Sequence, residues 1–184
     1  MLTKEEKEYL LKIARQSIEL AVKGNQPPQP VDCPENLLHP SGAFVTIHKF
    51  GDLRGCIGFV EAVKPLVETI IETAAHAAIN DPRFLPLSDE DLEDIEIEIS
   101  VLSPLKQIKD VNEIQVGEHG IFMEEGFNRG LLLPQVATEY SWDRETFLNQ
   151  TARKARLPIN AWKKNTTKIW IFTAEIFNEV NING

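Results

Sequence analysis

The chain has 184 residues, 42% hydrophobic and 26% charged, a balance that suits a packed globular protein and excludes wholesale disorder. Its 28 acidic side chains against 19 basic ones give a formal net charge of −9, which argues against phosphate-driven nucleic-acid binding. No run approaches the roughly 18 to 20 apolar residues of a membrane-spanning helix, and Met1 leads into a charged helix rather than a signal peptide, so a cytoplasmic protein is expected.

In chain order, Thr3 and Glu6 form a capping box, and Leu10, Ile13, Ala14, Ile18 and Ala21 form a helical apolar stripe ending before Gly24. From Asn25 to Pro40, five prolines prevent a helix or sheet ladder and predict a long ordered loop carrying Cys33 and His39. Residues Ala43 to Lys49 and Leu53 to Val60 read as strands around Phe50-Gly51-Asp52. A helix follows, with Pro65 in its first turn, Leu66, Ile70, Ala74 and Ala77 inward, and Asn80-Asp81-Pro82 as its stop.

Ser88 to Asp91 reads as a capped single turn, and Ile95, Ile97, Ile99 and Val101 alternate with polar residues in a half-buried strand. After a connector, Gly120 to Glu124 and Gly130 to Leu133 predict a second hairpin around Gly126-Phe127-Asn128-Arg129. Asp143 or Ser141 caps a helix with Phe147, Leu148, Thr151, Ala152 and Ala155 inward. Lys168 to Ile176 predicts a final strand, and Asn178 to Gly184 a frayed tail. Strand, strand, helix, strand thus occurs twice, and we read a two-layer α+β fold, mainly antiparallel, with a β-β-α-β unit whose duplication rests on element order alone.

The chemistry-bearing segment is Leu53-Arg54-Gly55-Cys56-Ile57-Gly58. Strand alternation sets Arg54, Cys56 and Gly58 on one face. A Gly51-Asp52 turn would put Lys49 opposite Arg54, two like charges. A three-residue loop, Phe50-Gly51-Asp52, instead puts His48 opposite Arg54 and Thr46 opposite Cys56, and that register is the expected one. The predicted site therefore has Cys56 and His48 as catalytic candidates, and Arg54, Gly55, Gly58, Thr46 and Arg83 as ligand-binding candidates. A nearby guanidinium favours a thiolate, an imidazole can take its proton, and glycines leave room for a ligand. Against this, a lone cysteine is commonly a small buried hydrophobe, and strand glycines often mark bulges.

Other signals are weaker. Cys33 and Cys56 have no close C-x-x-C partner and are expected to be free thiols. Glu68, Glu72 and His76 share a helix face but lack a complete metal-ligand motif, so no metal or cofactor is predicted, and a solvated face is the simpler reading. His119 reads as a turn residue. Lys163-Lys164 and Arg153-Lys154-Ala155-Arg156 suit helix ends, where cations complement the dipole. Asp81-Pro82-Arg83-Phe84 reads as a turn that sends Phe84 into the core, with an Arg54–Arg83 anion pocket as the functional alternative.

Leu53-Arg54-Gly55-Cys56-Ile57-Gly58, Asp81-Pro82-Arg83-Phe84, Val116-Gly117-Glu118-His119-Gly120 and Leu132-Leu133-Pro134-Gln135-Val136-Ala137, in this order, resemble the AMMECR domain family. The likeness runs from about Thr3 to Phe177 and puts the family's Arg-Gly-Cys core at Arg54, Gly55 and Cys56. It implies one domain over residues 1–184 with two lobes, about 1–105 and 106–178, with strand exchange between them as an alternative, and a cleft. It also implies resemblance to the A component of the AmmeMemoRadiSam system, with a Memo-like or radical-SAM protein as partner in a modification pathway, but no reaction. Near Thr151 to Leu157 the chain departs from the family's Cys-x-Lys-Ala-Gly-Leu pattern: Thr151 or Ala152 falls at the Cys and Arg156 replaces the Gly. A second functional thiol is not expected there.

The expected function is binding of a small anion or partner peptide in the cleft around Arg54-Gly55-Cys56. The alternatives are an enzyme using Cys56 with His48 as base, and a nucleic-acid-associated protein, which the acidic balance disfavours. Monomer and dimer fit the sequence equally.

Overall fold

In the computed structural model, residues 1–182 are described. Helix α1 (Lys4–Val22) begins at the predicted capping box: Thr3 Oγ1 accepts the Glu6 amide at 3.2 Å and the Glu6 carboxylate accepts the Thr3 amide at 2.8 Å. Helix α2 (Leu66–Ile79) starts after Pro65 and buries Leu66, Val67, Ile70, Ala74, Ala77 and Ala78. No helix among the described residues is long and apolar enough to cross a membrane.

The strands are β1 (Ala43–Lys49), β2 (Asp52–Phe59), β3 (Ile95–Leu102), β4 (Lys106–Ile108), β5 (Gly120–Glu125), β6 (Asn128–Leu132), β7 (Lys168–Phe172) and β8 (Ala174–Asn178). They form two sheets, ordered β2-β1-β3-β8 and β4-β7-β5-β6. The β1 pairings with β2 and β3, and those of β5 with β6 and β7, are antiparallel, so the fold is α+β.

The chain divides into two compact units, residues 1–102 with 175–184, and residues 103–174. In the first, Ala43, Val45 and Ile47 from β1 and Ile95, Ile97 and Ile99 from β3 join the inward residues of α1 and α2 in one core. Alternation dictates this, because those residues share one face of their strands while Thr46, His48, Glu96 and Glu98 take the other.

The second unit has its own core, built on Ile121 and Met123 of β5, Ile169 and Ile171 of β7, and Phe147, Leu148 and Ala152 of α4 (Arg144–Lys154). Asp143 caps α4, accepting the Thr146 amide at 2.8 Å. In both units the first hairpin strand lies between its partner and the strand that follows the helices, giving β2-β1-β3 and β6-β5-β7. The element order read from the sequence is thus matched by strand order in space.

Several local features differ from expectation. The continuous strand predicted from Lys168 to Ile176 is β7 and β8, interrupted at Thr173, whose amide and carbonyl are both bonded to Ser103, each at 2.9 Å. The second hairpin closes at Glu125↔Asn128, tighter than predicted, with Gly126 at φ 62. Strand β4 and helix α3 (Pro134–Glu139) are too short for periodicity to betray. The predicted fraying from Asn178 does not hold at Glu179, whose carboxylate accepts Arg15 Nε at 2.8 Å and the Ile97 amide at 3.0 Å. Asn183 and Gly184 of that tail lie outside the described residues.

Candidate functional site

Phe50 and Gly51 make the β1–β2 turn, with φ of 53° and 85°, and Lys49↔Asp52 is the closing pair. Two positive φ values match the right-handed twist of a hairpin. This two-residue turn replaces the expected three-residue loop and leaves one residue over on β2. The surplus is absorbed between His48 and Ile47: His48 pairs with Leu53, Ile47 with Gly55, and Arg54 is the bulge. Beyond it the expected register holds, with Thr46↔Cys56, Val45↔Ile57 and Ala43↔Phe59.

Cys56 is held on three sides. Thr46 Oγ1, itself only 8% exposed, donates to Cys56 Sγ at 3.2 Å. The Cys56 amide donates to Asp81 Oδ2 at 2.9 Å, and its carbonyl accepts Arg83 Nη2 at 3.3 Å. Strand β2 is at the sheet edge, so its outward backbone groups need partners from elsewhere. The Asp81–Arg83 pair supplies them at Cys56.

That pair is bidentate: Arg83 Nε reaches Asp81 Oδ1 at 3.0 Å and Nη2 reaches Oδ2 at 2.7 Å. Asp81 is buried, at 5% exposure. The Arg83 hydrogen bond outweighs burial and, with the Cys56 and Arg83 amides, pulls the carboxyl from an ordinary 3.8 to about 2. The Arg83 guanidinium is raised by the same hydrogen bond.

Arg54 leaves the strand register and donates Nη1 to the Leu85 carbonyl at 2.7 Å. Its guanidinium carbon lies 6.0 Å from the centre of the Phe84 ring, and that of Arg83 lies 5.3 Å from the same ring. Phe84 is half-buried, serving as a shared aromatic partner for two guanidiniums rather than a core residue. The two arginines therefore do come together, but Arg83 is neutralised by Asp81 and Arg54 is not.

The remaining candidates divide. Thr46 touches the sulfur. His48 shares the outer face of β1 with Thr46, yet it faces Leu53 and Glu96 across the sheet and makes no hydrogen bond or ion pair among the described residues. A Cβ on Gly55 would lie 2.2 Å from the Ala77 carbonyl oxygen, and one on Gly58 would lie 2.3 Å from the Phe44 ring. The space at both glycines is filled by the protein itself: Gly55 lets α2 settle on β2, and Gly58 makes room for a ring. His119 is the turn residue expected, its Nδ1 accepting the Gln115 amide at 3.1 Å.

Asp81 is the site residue that sequence reasoning undervalued. It was legible as a turn residue, but its partner Cys56 is 25 positions away. The only local signal was a carboxylate and a guanidinium two residues apart. At the departure near Thr151, that hydroxyl bonds the Phe147 carbonyl at 2.8 Å inside α4, an ordinary helix contact. Among the described residues no group of three or more His, Cys, Asp or Glu side chains is placed to hold a metal ion.

Residues 11–177 match the model of the AMMECR1 family. A protein of Methanothermobacter thermautotrophicus is 44% identical, covering 97% of this chain and 96% of its own length. Protein PH0010 of Pyrococcus horikoshii is 42% identical over 94% of this chain and 89% of its own. The crystal structure of that uncharacterized protein superposes with a TM-score of 0.93, covering 97% of this chain and 93% of the other.

Proposed function

We propose that this chain, which belongs to the AMMECR1 family, is a binding module that takes a small anion, or the acidic end of a partner peptide, on Arg54 beside Cys56. One observation carries the reading. In a chain with 28 acidic against 19 basic residues, every other Lys or Arg of the first unit except the exposed Lys12 lies within ion-pair distance of a carboxylate. Arg54 is half-buried and has none among the described residues. A guanidinium with one edge tied to a carbonyl and its charge uncompensated is suited to a carboxylate or phosphate.

The capped edge at Cys56 favours capture by side chains over addition of a strand, because the groups an added strand would need are already bonded to Asp81 and Arg83. The proposal includes a cytoplasmic location, in keeping with two cysteines outside any disulfide, and a Memo-like or radical-SAM protein as the partner presenting the anionic group. The test is calorimetric titration with sulfate and phosphate. Binding to the native chain and to Cys56→Ser, with loss in Arg54→Ala and weakening in Arg54→Lys, is expected. Equal affinity in Arg54→Ala overturns it.

A second reading, Cys56 as a nucleophile, is favoured by the Thr46 hydroxyl aimed at its sulfur. His48 as its base gains no support from a contact. The pH profile of Cys56 alkylation decides, since a midpoint at or above an ordinary thiol's roughly 8.5 removes the role.

A further inference from the structure

A groove of about 700 Å³ runs along the first unit between the end of α1, the proline-rich loop and α2. It shares no residue with the Arg54 site. The size falls within the range of small-molecule sites, and most of its wall is apolar, from Ala21, Pro27, Pro28, Ile71, Ala75 and Ile79. Four independent features set the sign of its occupant.

Glu68 and Glu72 line it, one helical turn apart on α2, and none of its described lining residues is Lys or Arg. Glu72 is paired with Lys64 from outside the groove, whereas Glu68 has no hydrogen bond or ion pair among the described residues. The loop wall contains Pro27, Pro28 and Pro30, which offer carbonyl acceptors but no amide donors. Helix α1 ends at the groove through Ala21 and Gly24, with no basic residue in its last turn. Helix α2 ends there through Ile79 and Asn80, with His76 in its last turn as the one basic side chain among the described lining residues. Two negative dipole ends, the proline carbonyls and an unpaired carboxylate favour positive charge.

We propose that this groove binds an organic cation with an apolar stem: a primary or secondary ammonium on a short alkyl chain, with the ammonium at Glu68 and Glu72 and the stem against the prolines, Ala75 and Ile79. Glu68 is the principal anchor, since Glu72 already shares its charge.

Amide NMR titration of the full chain tests this with three probes of equal length: 1,6-diaminohexane, 1,6-hexanediol and adipate. The diamine produces saturable shifts centred on Ala21, Gly24, Ala75 and Ile79, the diol binds at least about tenfold more weakly, and adipate produces none. Glu68→Gln weakens the diamine about fivefold, the upper range for one exposed ion pair, while Glu93→Gln, outside the groove, leaves it unchanged. Ala75→Leu, which fills the groove, abolishes the localised shifts. The proposal is overturned if the diol binds as well as the diamine. It is equally overturned if the diamine's shifts scatter over the acidic surface and are unmoved by Glu68→Gln.

Discussion

The Asp81 carboxylate accepts the Cys56 amide at 2.9 Å, the position a neighbouring strand's carbonyl would otherwise occupy. With Arg83 donating to the Cys56 carbonyl, an ion pair finishes the edge of the first sheet where another strand could dock. The same contacts hold the Cys56 backbone, so protection of the edge and placement of that backbone have one physical cause, while Thr46 separately holds the sulfur.

Asp81 makes the fold sensitive to acid. Its folded carboxyl titrates near 2 instead of 3.8, so the stabilisation is fully present above about pH 5 and is lost as pH falls through 2, amounting to about 2 kcal/mol. Asp91, lowered to about 2 chiefly by Lys49, acts in the same window. Urea unfolding at pH 6 and pH 2.5 is therefore expected to show a smaller stability difference for Asp81→Asn than for the native chain. Parallel pH dependences would mean that the Asp81–Arg83 pair contributes nothing.

Gly55→Ala is expected to be costly, because its new methyl meets a helix carbonyl at 2.2 Å and backbone must move to relieve the contact. Overpacking of this kind costs about 1–3 kcal/mol. Thermal unfolding reads the effect, and a variant as stable as the parent would show that α2 shifts freely over β2.

Thr46→Val removes the hydroxyl donated to Cys56 Sγ. Because that hydrogen bond favours the charged form of the sulfur, alkylation of Cys56 near neutral pH should slow by about threefold to tenfold, with Thr46→Ser restoring it. Peptide mass spectrometry separates this signal from Cys33. An unchanged rate would leave Thr46 as packing alone.

Arg156 has φ 60 just after α4, and the Leu157 amide reaches back to the Ala152 carbonyl at 2.8 Å, closing a Schellman-type cap. A side chain there carries a left-handed penalty that glycine avoids. Arg156→Gly is expected to raise stability by about 1 kcal/mol, seen as a higher urea midpoint. A lower midpoint would mean that the arginine side chain compensates for its strained backbone.

What was readable in the sequence was local. The Thr3–Glu6 box and the alternation at Ile95, Ile97 and Ile99 each declare themselves within a few residues. The pairing of Thr46 with Cys56 followed from burial, because only that register puts Val45 opposite Ile57. The bulge at Arg54 was hidden because a surplus residue exists only relative to a turn type, and Phe50 at positive φ is not what its side chain prefers. The break at Thr173 was hidden for a similar reason: alternation runs smoothly through it, and the interruption is imposed by Ser103, 70 positions earlier.

Strand β8 also governs the order in which the molecule can assemble during synthesis. Residues 103–174 form a contiguous unit and can close as soon as they have left the ribosome. The first sheet, although most of it is made earlier, leaves the outer edge of β3 bare until residues 174–178 emerge. The earlier-made unit is therefore completed only when β8 arrives, and during that interval the bare edge of β3 is open to pairing with other chains.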